Sequence, residues 1–229
     1  MAFSGLLYHH YFRVRSYDAH NIPAQGGAIL AANHSGTLPL DGVMLYQDVL
    51  EQTDPPRIPR AIADLFVPLL PIVGTWFSRM GVVNGARRNL RYLLDSDELL
   101  MVFPEGTPGI GKPFRDRYQL QSWRVGHAEL AIRHGVPVIP VAIIGAEEQW
   151  PLLTRIDAHP LGAPFIPVPM VPFPLPARYH IHYGRAIHFD LPPEAADDPS
   201  ELDAAALQVK TAVQTLIDDG LRKRMSVFR

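Results

Sequence analysis

The 229-residue chain contains no cysteine. That excludes a disulfide scaffold, a cysteine-ligated zinc or iron–sulfur centre and a thiol nucleophile. Lysine is scarce, 3 residues against 18 arginines, a ratio that points to a GC-rich bacterial genome. Charged residues make up 19% of the chain, below the ~25% of a typical soluble domain. The net charge is −2 and the isoelectric point about 6.5, so the electrostatic footprint of a nucleic-acid binder is missing. Long apolar runs are missing too. The best candidate, Leu65 to Phe77, is 13 residues long and holds Pro68, Pro71 and Gly74. It falls short of the ~18–20 residues of a spanning helix and reads as a buried or interfacial segment. The opening residues MAFSGLLYHHYFRVR show no signal-peptide pattern.

Proline is abundant: 23 residues, about twice the usual ~5%. This excludes an all-helical bundle. Short apolar runs at Phe12–Tyr17, Ala28–Ala32, Ile58–Ala63, Leu99–Phe103, Val136–Ile144 and Arg178–Tyr183 read as strands. Helical patterns lie between them, at Asp41–Leu50, Ala86–Leu94 and Gln121–His134, the last ending at Gly135. A long helix is expected to begin at Ser200, with Leu202, Ala206, Val209, Val213 and Leu216 on one face. The expectation is a single α/β domain over residues 1–229, with a mixed, mostly parallel sheet flanked by helices. Pro137 and Pro140 place their strand near an edge or at a bulge. Eight prolines crowd into Pro151–Pro176. The stretch Pro160–Pro176 is either an extended segment beside the site or a connection packed on the core. The basic stretch Leu221–Arg229 is either a solvated helix end or a contact for anionic lipid.

Sites in such sheets form in loops beyond the carboxyl ends of strands. Ala28–Ala32 runs into Asn33-His34-Ser-Gly-Thr-Leu-Pro-Leu-Asp41, and Leu99–Phe103 runs into Pro104-Glu105-Gly106-Thr107-Pro108. If both strands are parallel, His34, Asp41 and Glu105 share one rim. A neutral histidine oriented by a carboxylate is a general base near pH 7. The alternative is that Asp41 caps a helix and His34 bonds a loop carbonyl. Gly106 to Lys112 matches G-x-x-x-x-G-K, but Pro113 stands where a P-loop nucleotidase needs Ser or Thr. His180, His182 and His188 read as strand histidines before metal ligands, and no metal is expected.

Asn33-His34…Asp41, then Phe103-Pro104-Glu105-Gly106-Thr107, then Val136-Pro-Val-Ile-Pro-Val141, resemble in order the blocks of the lysophospholipid/glycerolipid acyltransferase family. Gly145-Ala-Glu-Glu-Gln-Trp-Pro151 is similar to the monoacylglycerol-acyltransferase-like branch. The resemblance runs from about Tyr11 to Leu216. It implies a glycerol-3-phosphate acyltransferase-like fold. It implies that His34 deprotonates an acceptor hydroxyl, which attacks an acyl thioester of coenzyme A or acyl carrier protein, with Asp41 orienting His34. Phe103, Pro104, Glu105, Gly106 and Thr107 would bind the acceptor, a glycerolipid or lysophospholipid. Amides at the start of the following helix would stabilise the oxyanion. No cofactor beyond the acyl co-substrate is implied, and no nucleic-acid partner. The implied location is cytoplasmic, peripheral at the inner face of the membrane. The competing reading is a non-catalytic lipid-binding protein on the same fold.

Three departures from the family pattern stand out. Six residues separate His34 from Asp41 where the family has four, so the chain between must loop out. Pro108 replaces the arginine that follows F-P-E-G-T in relatives acting on phosphate-bearing acceptors. Lys112, Arg115, Arg117 and Arg87 are the candidates to take its place, and the loss tilts the expectation toward a neutral acceptor. The N-terminal membrane helices common among relatives have no counterpart in this sequence.

Overall fold

A computed structural model of the protein describes residues 2–35, 39–63, 81–158 and 164–228, with side chains from residue 4. The Leu65–Phe77 run and residues 159–163 of the proline-rich stretch lie outside the described residues. The strands are β1 (Arg15–Tyr17), β2 (Ala28–Ala32), β3 (Arg60–Ala63), β4 (Val83–Asn84), β5 (Leu99–Val102), β6 (Val138–Ile144), β7 (Leu152–Asp157), β8 (Phe165–Pro169) and β9 (His180–Tyr183). Among the described residues β1-β9-β6-β2-β5-β3-β4 form a seven-stranded sheet in that order, and β7 and β8 form a separate antiparallel ribbon. β2 pairs in parallel with both β5 and β6, β3 in parallel with β5 and β4, and β9 antiparallel with β6. The sheet is therefore mixed and mostly parallel, as expected.

The helices are α1 (Ala2–Leu6), α2 (Leu40–Gln52), α3 (Arg87–Asp95), α4 (Thr107–Ile110), α5 (Gly126–His134), α6 (Ala146–Gln149) and α7 (Pro199–Lys223). One sheet face buries Leu30, Met101, Ile139, Val141 and Ile181 against Met44, Leu45 and Val49 of α2. The other buries Ile29, Leu100 and Val138 against α3 and α5, and Ala142 and Ile144 against Val213 and Ile217 of α7. β2 is covered on both faces, which is why all five of its residues are apolar and buried. Asp48 of α2 accepts hydroxyl bonds from Tyr8 (2.6 Å), Ser16 (2.9 Å) and Tyr183 (2.6 Å), fastening the N-terminal segment and β9 to α2. None of the helices in the described residues is long and apolar enough to cross a membrane.

Two expectations need correction. α7 begins at Pro199, with Asp198 as its cap accepting from the Ser200 N–H, because proline suits the first helical position and aspartate caps it. Pro140 lies in a central strand, not at an edge. Its neighbour Val138 exchanges backbone bonds with Ile187, and two-residue alternation turns the ring nitrogen of Pro140 to that same side. There β9 has ended at Tyr183, Gly184 N–H donates to Pro140 O at 2.8 Å, and the residues between Tyr183 and Ile187 outnumber those between Val138 and Val141 by one, so the pairing bulges beside the ring and no ladder donor is lost.

Candidate active site

β2, β5 and β6 are parallel, so their carboxyl ends open on one rim. Asn33 fastens the β2 loop to β6: its carbonyl accepts from Ile143 N–H at 2.7 Å and its amide donates to Ile143 O at 3.0 Å. The His34 ring stacks on Phe103 from the β5 loop, with centroids 4.3 Å apart. His34 Nδ1 lies 2.7 Å from Asp41 Oδ2. Asp41 sits in the first turn of α2, fully buried, and also accepts the N–H groups of Ser35 (2.9 Å) and Gly42 (2.8 Å). Three donors thus hold the carboxylate in place. With Nδ1–H donating to Asp41, neutral His34 carries its basic lone pair on Nε2.

Glu105 joins the two loops. Its buried carboxylate accepts from His34 N–H at 3.0 Å and from Gln121 N–H at 2.8 Å. Behind it lies Lys112, with Nζ 3.0 Å from Glu147, 3.1 Å from Gln119 O and 3.9 Å from Glu105. Burial pushes the Glu147 carboxyl up to about 7, against the pull of the Lys112 charge. Glu147 also accepts from Tyr118 N–H at 2.9 Å, and Tyr118 in turn donates its hydroxyl to Glu148. Arg224 closes this network 2.7 Å from Glu148. A small cleft is bordered by Ser35, Gly109, Lys112, Glu147, Trp150 and Leu152. The Ser35 hydroxyl is buried there with no hydrogen-bond partner among the described residues. The arrangement can take a proton at His34 and hold a small polar group beside it.

The acyltransferase family model matches residues 13–144, more than half of the chain. The chain belongs to the acyltransferase family. Uncharacterized proteins of Mycobacterium tuberculosis (strain H37Rv) and Mycobacterium bovis are 36% identical to it over 230 residues, covering 95% of this chain and 64% of their own length. A Mycobacterium leprae protein is 35% identical, covering 95% and 63%. The chain therefore spans just under two thirds of these curated relatives. Its fold is similar to the crystal structure of the 1-acyl-sn-glycerophosphate (LPA) acyltransferase PlsC from Thermotoga maritima, with a TM-score of 0.60 and 21% identity, covering 93% of this chain and 73% of that one.

In this acyltransferase-family chain the residues singled out from sequence divide into two groups. His34, Asp41, Phe103 and Glu105 meet on the rim. Pro104, Gly106 and Thr107 form the turn into α4 beside them. The basic candidates disperse. Arg87 is exposed on α3 and pairs with Glu129 of α5 at 3.3 Å, and Arg115 is exposed beside Asp116. Arg117 lies over the Phe114 ring. Lys112 reaches the cleft, but as the partner of Glu147. That burial also removes the phosphate cradle a P-loop would need. α4 is a single turn, and the Gly106 and Gly109 amides are already bonded to Phe103 O and Gly106 O, so they are not spare donors. No group of three or more His, Asp or Glu residues suited to a metal occurs among the described residues. Sequence reading passed over Glu147 as a site residue. The signal was there: Glu147 follows the apolar β6 run and so falls on the same rim as His34.

Proposed function

We propose that the chain is an O-acyltransferase that moves a fatty acyl group from an acyl thioester of coenzyme A or acyl carrier protein to a hydroxyl of a glycerolipid or lysophospholipid. The 2.7 Å contact between His34 and Asp41, inside the region matched by the family, carries this reading. The fold shared with a 1-acyl-sn-glycerophosphate acyltransferase supports a glycerolipid acceptor. His34 Nε2 takes the proton of the acceptor hydroxyl as its oxygen attacks the thioester carbonyl. The carbon–sulfur bond then breaks, and the thiolate leaves with the proton from the imidazolium, which Asp41 stabilises in the interval. The Ser35 hydroxyl, buried beside the cleft with no partner among the described residues, is a candidate donor to the bound substrate. Pro108 in place of arginine, and Lys112 matched by Glu147, favour an acceptor without phosphate beside the reacting hydroxyl. The contact also weighs against the non-catalytic lipid-binding reading, because the longer His34–Asp41 spacing still lets the two side chains meet.

Thiol release from acyl thioesters, with monoacylglycerol and lysophosphatidate as acceptors, tests the proposal. His34→Ala is expected to lower turnover by ~10²–10⁴. A variant as active as the wild type, or a wild type inert with every donor and acceptor, overturns it.

A further inference from the structure

Three segments of the chain meet at the β1 edge of the sheet. The Tyr11 hydroxyl donates to Pro174 O at 2.6 Å. The Arg13 guanidinium donates to Pro176 O at 2.7 Å and Phe228 O at 3.1 Å. Arg178 N–H donates to Val227 O at 2.8 Å. Residues 11–15, 170–178 and 224–228 therefore make one surface. It carries large apolar side chains in water: Phe173 is 76% exposed, Met225 98% and Met170 52%. It also carries Arg13, Arg15 and Arg178. Partial burial and the facing charges of Arg15 and Arg13 hold the Arg178 guanidinium below its usual pKa, with Tyr17 opposing. Among the described residues none of the three arginines is in an ion pair. Gathered cations create a positive field that an external anion relieves.

The surface lies on the same side as the candidate active site. β9 is antiparallel to β6, so His180 at its amino end pairs with Ile144 at the carboxyl end of β6, the end that borders the rim of His34. It is also continuous with the cleft. Met170 N–H bonds Pro151 O, and the Trp150 indole donates to Val171 O at 2.8 Å, while Trp150 and Leu152 border the cleft.

We propose that this surface docks the chain on a bilayer containing anionic lipid. Phe173, Met170 and Met225 enter the boundary between headgroups and acyl chains, and Arg13, Arg15 and Arg178 meet headgroup phosphates. Exposed apolar groups on the same surface as cations that have no ion-pair partner among the described residues fit that two-layered partner, whereas a protein partner would have to supply a facing acidic patch. Docking in this orientation turns the cleft toward the bilayer. Only that last consequence, delivery of the acceptor, rests on the acyl-transfer reading. Docking itself is read without turnover, so the two fail separately.

The test is co-sedimentation of the chain with vesicles of phosphatidylcholine alone and of phosphatidylcholine with phosphatidylglycerol, at low and physiological salt. Partitioning onto the anionic vesicles is expected, weakening as salt rises. Arg15→Gln and Arg178→Gln are each expected to lower it about fivefold. Phe173→Ser is expected to lower it about tenfold. Met225→Ser, at a site almost wholly in water, repeats that test without risk to folding, and circular dichroism checks each variant. Equal binding to both vesicle types overturns the proposal, as does wild-type partitioning by the folded variants. Phe173→Ser splitting a dimer of this chain with vesicle binding unchanged overturns it in favour of a second copy.

Discussion

His34 and Asp41 stand seven positions apart in the chain, yet their Nδ1 and Oδ2 atoms lie 2.7 Å apart. The longer loop is accommodated because Asp41 opens α2 and is fastened by two backbone amides as well as by the imidazole. Asp41→Asn keeps the shape but offers an amide where donors converge, so the histidine loses its preferred tautomer. Turnover in the thiol-release assay is expected to fall by ~10²–10⁴ with little change in KM. Asp41→Ala strands buried N–H groups, each worth about 1–3 kcal/mol. Its melting temperature should therefore fall well below that of Asp41→Asn.

Glu105 is the second fastening. Its two oxygens hold His34 N–H and Gln121 N–H, which belong to loops 87 positions apart. Glu105→Gln turns one of those bonds into a meeting of two donors. Turnover should fall at least about tenfold, since small displacements of a base are costly. Glu105→Ala also leaves Lys112 with Glu147 as its one carboxylate partner and is expected to cost about 2–5 kcal/mol in denaturant unfolding.

The rim was legible because buried parallel strands are written as continuous apolar runs: AILAA for β2, LLMV for β5 and VIPVAII for β6. Once those are strands, the loops after them must share an edge. The β7–β8 ribbon was not legible. Thr154, Arg155 and Ile156 are exposed, and Pro167 and Pro169 argue against a strand in any sheet with partners on both sides. A two-stranded ribbon has a free edge on each strand, so it tolerates both prolines. The fate of Lys112 was also hidden, since its carboxylate partner Glu147 lies 35 positions away.

Glu147 gives a pH signature. Its folded pKa, raised by burial to about 7, exceeds the value of 4.5 expected when unfolded. Between those values the folded state binds more protons, so the contribution of Glu147 to stability falls as pH rises through that window. The total is on the order of 3 kcal/mol. Glu147→Gln should remove this component. The difference in melting temperature, variant minus wild type, is expected to grow from pH 5 to pH 7. A pH-independent difference would contradict the assignment.

Gly109 sets how closely the loop after β5 approaches the histidine. A Cβ there would fall 2.8 Å from His34 O, 3.0 Å from Glu105 Cβ and 3.1 Å from His34 Cβ. The first contact is with backbone, which cannot rotate away, so the β5 loop or the His34 loop must move. Gly109→Ala is therefore expected to shift His34 against its substrate and lower turnover about a hundredfold. Gly126, at the start of α5, is the control, with nothing within 4 Å of a built Cβ. Gly126→Ala should keep full activity and gain up to about 1 kcal/mol from helix propensity. Thiol-release kinetics beside thermal melts separate the two. Equal turnover in both variants would mean that contact between the loops does not position His34.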